Sequence, residues 1–168
     1  DVTLKLYLDH NVYDVGFMKN LESAHIIMVT AGNERNEAVC EPLFQSLSSC
    51  PNLEKFILEV TYTPNFSILG TLIVAYLTHL KSLEICDAFH GFNGITGSVT
   101  EVFFGHFKWL PRMGKLETLS FSDSKLVFDA TTDLQIFYEN PMTKLKRLEL
   151  SDIKMLGVEI GTYPSVIT

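Results

Sequence analysis

The chain has 168 residues, 46% of them hydrophobic and 20% charged, which is enough to bury one core and typical of a globular rather than a disordered protein. Its formal net charge is −7 and no basic cluster is visible, so nucleic acid and anionic membrane surfaces are disfavoured as partners. The three cysteines, Cys40, Cys50 and Cys86, are odd in number and unevenly spaced, and read as buried thiols in an intracellular compartment, cytoplasmic or nuclear.

In chain order, the first predicted element is a strand at Thr3–Leu8, where Leu4, Leu6 and Leu8 alternate with other residues. A second strand is expected at Ala24–Val29. Residues 36–49 set Val39, Leu43, Phe44 and Leu47 on one face of an amphipathic helix. A strand follows at Leu53–Leu58, and then a helix at Ser67–Leu77 that is apolar nearly all round and calls for cover on several sides. At ~1.5 Å per residue the apolar run from Phe66 to Leu77 falls well short of the ~30 Å bilayer core, so no membrane span is expected. After a strand at Leu80–Ile85 comes a glycine-bearing loop at 87–97. Residues 98–110 then read as a helix, with Ser98 and Glu101 spaced as a capping box and Pro111 closing it. A strand at Leu116–Phe121, a short helix at Thr132–Glu139 and a strand at Leu145–Leu150 complete the series. Helices joining adjacent strands require those strands to be parallel.

Four of the strands share one template: apolar, two intervening residues, apolar, any, apolar. Its copies are Leu53-Glu-Lys-Phe56-Ile-Leu58, Leu80-Lys-Ser-Leu83-Glu-Ile85, Leu116-Glu-Thr-Leu119-Ser-Phe121 and Leu145-Lys-Arg-Leu148-Glu-Leu150. They start 27, 36 and 29 residues apart, a period at which each unit buries its apolar face against its neighbours. The pattern resembles the leucine-rich repeat. The junction Cys50-Pro51-Asn52-Leu53-Glu54 is similar to that in the cysteine-containing repeats of F-box leucine-rich-repeat proteins, where the cysteine is buried, the proline stops the helix and the leucine opens the strand. The junction occurs once; elsewhere Leu77-Thr78-His79, Met113-Gly114-Lys115 and Met142-Thr143-Lys144 stand in its place. The resemblance implies an α/β leucine-rich-repeat solenoid with parallel strands on the concave side and helices on the convex side. It would form a single domain over 1–168 of about six irregular repeats. The chain opens at Asp1 rather than Met, as a fragment or a processed product would.

Such a fold acts by binding another protein, as a substrate-recognition or adaptor unit, with no chemistry of its own, no cofactor and no metal. Alternate strand residues would face the concave side, and the expected contacts are Tyr7, Ile26, Met28, Ile57, Glu59 and Glu84, with Phe89 and Phe92 on the 87–97 loop. A one-residue slip would exchange Ile26 and Met28 for Ile27 and Val29, and the strand through His25–Val29 could equally be buried on both faces. The acidic charge favours a basic partner. Two other readings stay open. One is a nucleotide-binding enzyme using Gly91, Gly94 and Gly97, with Asp123 ending the next strand, although the GxxGxxG spacing departs from the dinucleotide fingerprint. The other is a structural segment of a longer solenoid. Cys86 and His90 have ligand-compatible spacing but no second pair to complete a metal site.

Overall fold

The computed structural model describes residues 3–8, 14–28, 40–60, 66–87, 101–129 and 142–156. The described elements, in chain order, are strands β1 (Thr3–Leu8) and β2 (Ser23–Met28), helix α1 (Glu41–Ser48), strand β3 (Lys55–Val60), helix α2 (Phe66–Tyr76), and strands β4 (Ser82–Asp87), β5 (Glu101–Phe103), β6 (Thr118–Asp129) and β7 (Arg147–Leu156). The strands form one sheet in which every described pairing is parallel. Apart from β5, strand order follows chain order. The short β5 pairs with the second half of β6, beyond the stretch that β4 pairs with, while β7 runs along the other edge of β6.

Each repeat is secured just before its strand. Leu21, Leu53, Leu80 and Leu116 are no more than 1% exposed, and Leu145 is half-buried. The N–H of each of these five leucines donates to the carbonyl three residues earlier, at 3.0–3.2 Å, closing a tight turn. The next residue's carbonyl then accepts two bonds from the following unit. Glu22 O takes the N–H groups of Glu54 and Lys55, and Glu54 O those of Lys81 and Ser82. Lys81 O takes those of Glu117 and Thr118, and Glu117 O those of Lys146 and Arg147. These forks fix the register between neighbours before the strand ladder begins.

Ala24, Ile26, Phe56, Leu58, Leu83, Ile85, Leu119 and Phe121 all project to the helix-covered side and are at most 2% exposed. There they meet Leu43, Phe44 and Leu47 of α1, Leu69 and Ile73 of α2, and Leu77 just beyond it. Phe44 packs on Phe56 with ring centroids 5.7 Å apart, and Phe107 meets Phe121 edge-on at 4.8 Å. Removing one such leucine side chain costs about 2–5 kcal/mol in typical cores. Helix α2 lies between α1 and the 3-10 turn Phe104–Phe107, which accounts for its nearly all-round apolar sequence.

Several expectations need correction. The template of β2 begins at Leu21, not Ala24, so Ile26 and Met28 face the helices and are buried, at 0% and 5% exposure. They belong to the core, not to a binding surface. The missed signal was the triplet Asn20-Leu21-Glu22, which repeats in Asn52-Leu53-Glu54. The helix expected over 98–110 is not formed in its described part: Glu101–Phe103 is a strand, followed by 3-10 turns at Phe104–Phe107 and Leu110–Arg112. Val102 and two successive phenylalanines suit a strand, Gly105 weakens a helix, and β6 runs on far enough to supply a pairing edge. Strand β6 continues to Asp129 past an irregularity in which it advances from Phe121 to Lys125 while β7 advances only from Leu150 to Asp152. Asp123 therefore sits inside β6 rather than ending it. The short helix expected at Thr132–Glu139 and the loop residues Phe89, Phe92, Gly91, Gly94 and Gly97 lie outside the described residues.

Gly70 gives a sharp test of packing. A Cβ there would fall 1.9 Å from Nε1 of Trp109 and 2.1–2.2 Å from two of its ring carbons, so the indole occupies the notch that glycine leaves in α2. The indole N–H is itself buried, with no hydrogen-bond partner among the described residues. Gly→Ala inside a helix ordinarily stabilises by about 1 kcal/mol. Here we predict the opposite sign: Gly70→Ala lowers stability by about 1–3 kcal/mol through overpacking, read as a fall in the urea midpoint. Combining it with Trp109→Leu should recover part of the loss, and strict additivity of the two variants would contradict the packing assignment.

Candidate binding face

The opposite side of the sheet carries no described helix, and parity decides what stands on it. Three rows cross the strands. The first holds Ser23, Lys55, Ser82, Thr118 and Arg147, and the second His25, Ile57, Glu84, Ser120 and Glu149. The third holds Ile27, Glu59, Cys86 and Ser122, with Tyr7 in register beside Ile27. Of the expected contacts, Ile57, Glu59 and Glu84 thus share this face and Tyr7 shares its register. His25 and Ile27 join them in place of Ile26 and Met28. Ile27 is only 4% exposed, so β2 is buried on both faces at this point, while Ile57 on the same face is half-buried.

Each described carboxylate on the face has a basic group beside it. His25 Nε2 lies 2.8 Å from Glu59 Oε2, both side chains being largely buried. Lys55 Nζ stands 4.0 Å from Glu84 Oε2, one strand over, and Arg147 Nη2 donates to Glu149 Oε1 at 2.6 Å. The last pair is well exposed and worth little, as surface pairs are. Nothing in the sequence spacing announces the His25–Glu59 pair; it exists because Leu21 sets the register of β2.

At the centre, the Ser122 hydroxyl lies 3.0 Å from Cys86 Sγ and 3.4 Å from Glu84 Oε1, while the Cys86 thiol reaches Glu84 Oε1 at 3.5 Å. Burial pushes the Cys86 thiol up to about 12; the Ser122 hydrogen bond opposes this, and the charges of Glu84 and Glu59 add to it. A thiol held in that range stays protonated near neutrality and makes a poor nucleophile. Among the described residues, no three His, Cys, Asp or Glu side chains are placed to hold a metal ion.

A second charged row runs along the N-terminal ends of the strands, at the position after each template leucine. Lys81 Nζ bonds Glu54 Oε1 at 2.5 Å and Lys146 Nζ bonds Glu117 Oε2 at 2.8 Å. The hydrogen bond to Glu54 raises the Lys81 amine, and that from Lys146 lowers the Glu117 carboxyl. Glu54 and Lys146 are well exposed, and the partner of each lies one repeat away. At the β1–β3 end of this row, Thr3, Glu22, Ser23, Pro51, Asn52, Glu54 and Lys55 border an open groove of about 600 Å³. At the junction, α1 ends at Ser48, and Cys50 is fully buried with its thiol 3.6 Å from the Val15 carbonyl. Burial raises the Cys50 thiol as well.

Comparison with protein-family models, curated proteins and solved structures returns no match. Among the described residues no helix is long and apolar enough to cross a membrane.

The Cys86 environment makes a prediction of its own. Native protein at pH 8 should be alkylated at Cys86 at least tenfold more slowly than urea-unfolded protein, since thiolate is suppressed about a thousandfold and greater intrinsic nucleophilicity returns only part of that. Ser122→Ala should slow it further, because the lost hydrogen bond favoured the thiolate. Peptide-resolved mass spectrometry checks both, and equal native and unfolded rates would refute the assigned environment.

Proposed function

We propose that this chain is a leucine-rich-repeat solenoid that binds a protein partner through the helix-free face of its sheet and carries out no reaction. The observation that carries the reading is the row structure of that face: successive parallel strands in chain order present polar and half-buried side chains in fixed register, with all the described helices on the other side. A rigid array of this kind suits recognition of an extended protein surface. The order of β1, β2, β3, β4, β6 and β7 also lacks the reversal at which doubly wound nucleotide-binding sheets open their crevice. That argues against the nucleotide-enzyme alternative.

Because Glu59, Glu84 and Glu149 each lie beside a basic group, the overall charge of −7 steers a basic partner toward the chain more than it holds it at this face. Contact rests instead on the half-buried Ile57, Thr118 and Ser122 and on the flanking carboxylates. The test is crosslinking capture from the source cell, comparing wild type, the face variant Ile57→Asp/Glu84→Lys and a helix-side control, Gln45→Asp, all verified as folded. We expect a partner retained by wild type and control and weakened at least tenfold by the face variant. Equal capture by all three would remove the face from the binding surface.

A further inference from the structure

The turns that lead into β4, β6 and β7 bring together charges that chain order keeps apart. Lys81, Arg112, Lys115, Lys144, Lys146 and Arg147, six of the thirteen Lys and Arg in a chain of net charge −7, stand on this one rim of the sheet. Three of the six are paired: Lys81 with Glu54, Lys146 with Glu117 and Arg147 with Glu149. Arg112, Lys115 and Lys144 are exposed and form no ion pair among the described residues. Lys115 and Lys144 occupy the same place in successive units, one residue before Leu116 and Leu145; His79 holds that place before Leu80, and the neutral Asn20 and Asn52 hold it in the units before. The carbonyl forks tie these units side by side, so the three positions follow one another at the strand spacing of about 5 Å. Two neighbouring groups report the resulting positive field. The Glu117 carboxyl is lowered first by Lys146 and further by the charges of Lys81 and Lys144, and the His79 imidazole is lowered first by burial and then by the charge of Lys115. The surface is open, since a Cβ added at Gly114, between Arg112 and Lys115, would meet nothing within 4 Å. The rim runs along the stacking direction, so a further unit beside β7 would lengthen the row rather than cover it.

We propose that this rim is a second interaction surface, distinct from the helix-free face, and that it takes a short acidic segment of a protein partner whose carboxylates lie along Arg112, Lys115 and Lys144. The surplus of cations is local. Toward β3 the row meets Glu54 and then Glu22, at the place that Lys81 and Lys146 hold in their own units, so a long polyanion such as nucleic acid would run onto carboxylates. A segment of a few acidic residues ends before it reaches them. The overall negative charge slows the approach of such a segment, but over the ~8 Å across which charges act at physiological salt the local surplus decides.

Fluorescence anisotropy with a labelled hexaglutamate peptide tests this, all variants being verified as folded by circular dichroism. Lys115→Glu/Lys144→Glu should bind the peptide about tenfold more weakly than wild type, and raising salt from about 50 to about 300 mM should weaken wild-type binding several-fold. Gly114→Asp, which sets an anion in open space on the same turn, should weaken binding without touching either lysine. The face variant Ile57→Asp/Glu84→Lys should bind like wild type, so a failure here leaves the reading of the helix-free face intact. With the peptide bound, the His79 imidazole should titrate at higher pH than in the free protein, because the anion offsets Lys115; proton NMR reads this directly. Absence of saturable binding by wild type, equal binding by Lys115→Glu/Lys144→Glu, or an unmoved His79 titration would each overturn the proposal. Tighter binding of an oligothymidine or of phosphatidylserine vesicles than of the peptide would overturn it as well, assigning the rim to nucleic acid or to a membrane surface.

Discussion

The fold depends on one local arrangement repeated five times: a leucine, buried in four cases and half-buried at Leu145, whose N–H closes a turn just before the strand. Because the next carbonyl is then forked by two N–H groups of the following unit, each unit is placed by its predecessor. Strand pairing, helix placement and the parity of every side chain follow from that placement. Shifting the template by an odd number of residues in a single strand would exchange its core and surface faces. This is why Leu21 matters more to the surface than any residue on it.

The face without helices owes its character to the same parity. It gathers His25, Lys55 and Arg147 beside Glu59, Glu84 and Glu149, and it holds one thiol whose burial keeps it protonated. Basic and acidic groups that pair with one another, across strands at His25–Glu59 and Lys55–Glu84 and along β7 at Arg147–Glu149, stiffen a surface without making it strongly attractive to any one ion. Such a face discriminates by shape and hydrogen bonding. The row at the strand N-termini applies the same rule on the outside, with Lys81 and Lys146 each reaching back one repeat to a glutamate.

The helical layer shows a different kind of dependence. Gly70 looks like a weak point in α2 when read along the chain, yet it is the place where Trp109 lies against the helix. The segment after the 87–97 loop shows the reverse: its capping-box spacing and apolar pattern read as a helix, and the edge of β6 drew part of it into the sheet. Periodicity cannot separate these outcomes, because short apolar runs fit both structures and the available partner decides.

What the amino-acid order determined by itself was the repeat: Leu53, Leu80, Leu116 and Leu145, the alternation within each strand, the parallel strands, the buried Cys50 and the helices near 41–48 and 66–76. These are local patterns whose solvation requirement is met in only one way. Tertiary structure alone decided which residues of β2 reach the core, that β6 and β7 continue well past their templates, and that His25 meets Glu59. It also decided that Leu148, alike in sequence to three buried counterparts, lies half in solvent. Each of those outcomes depends on what stands one strand away, and the distance between neighbouring strands is not written in the spacing of residues along either of them.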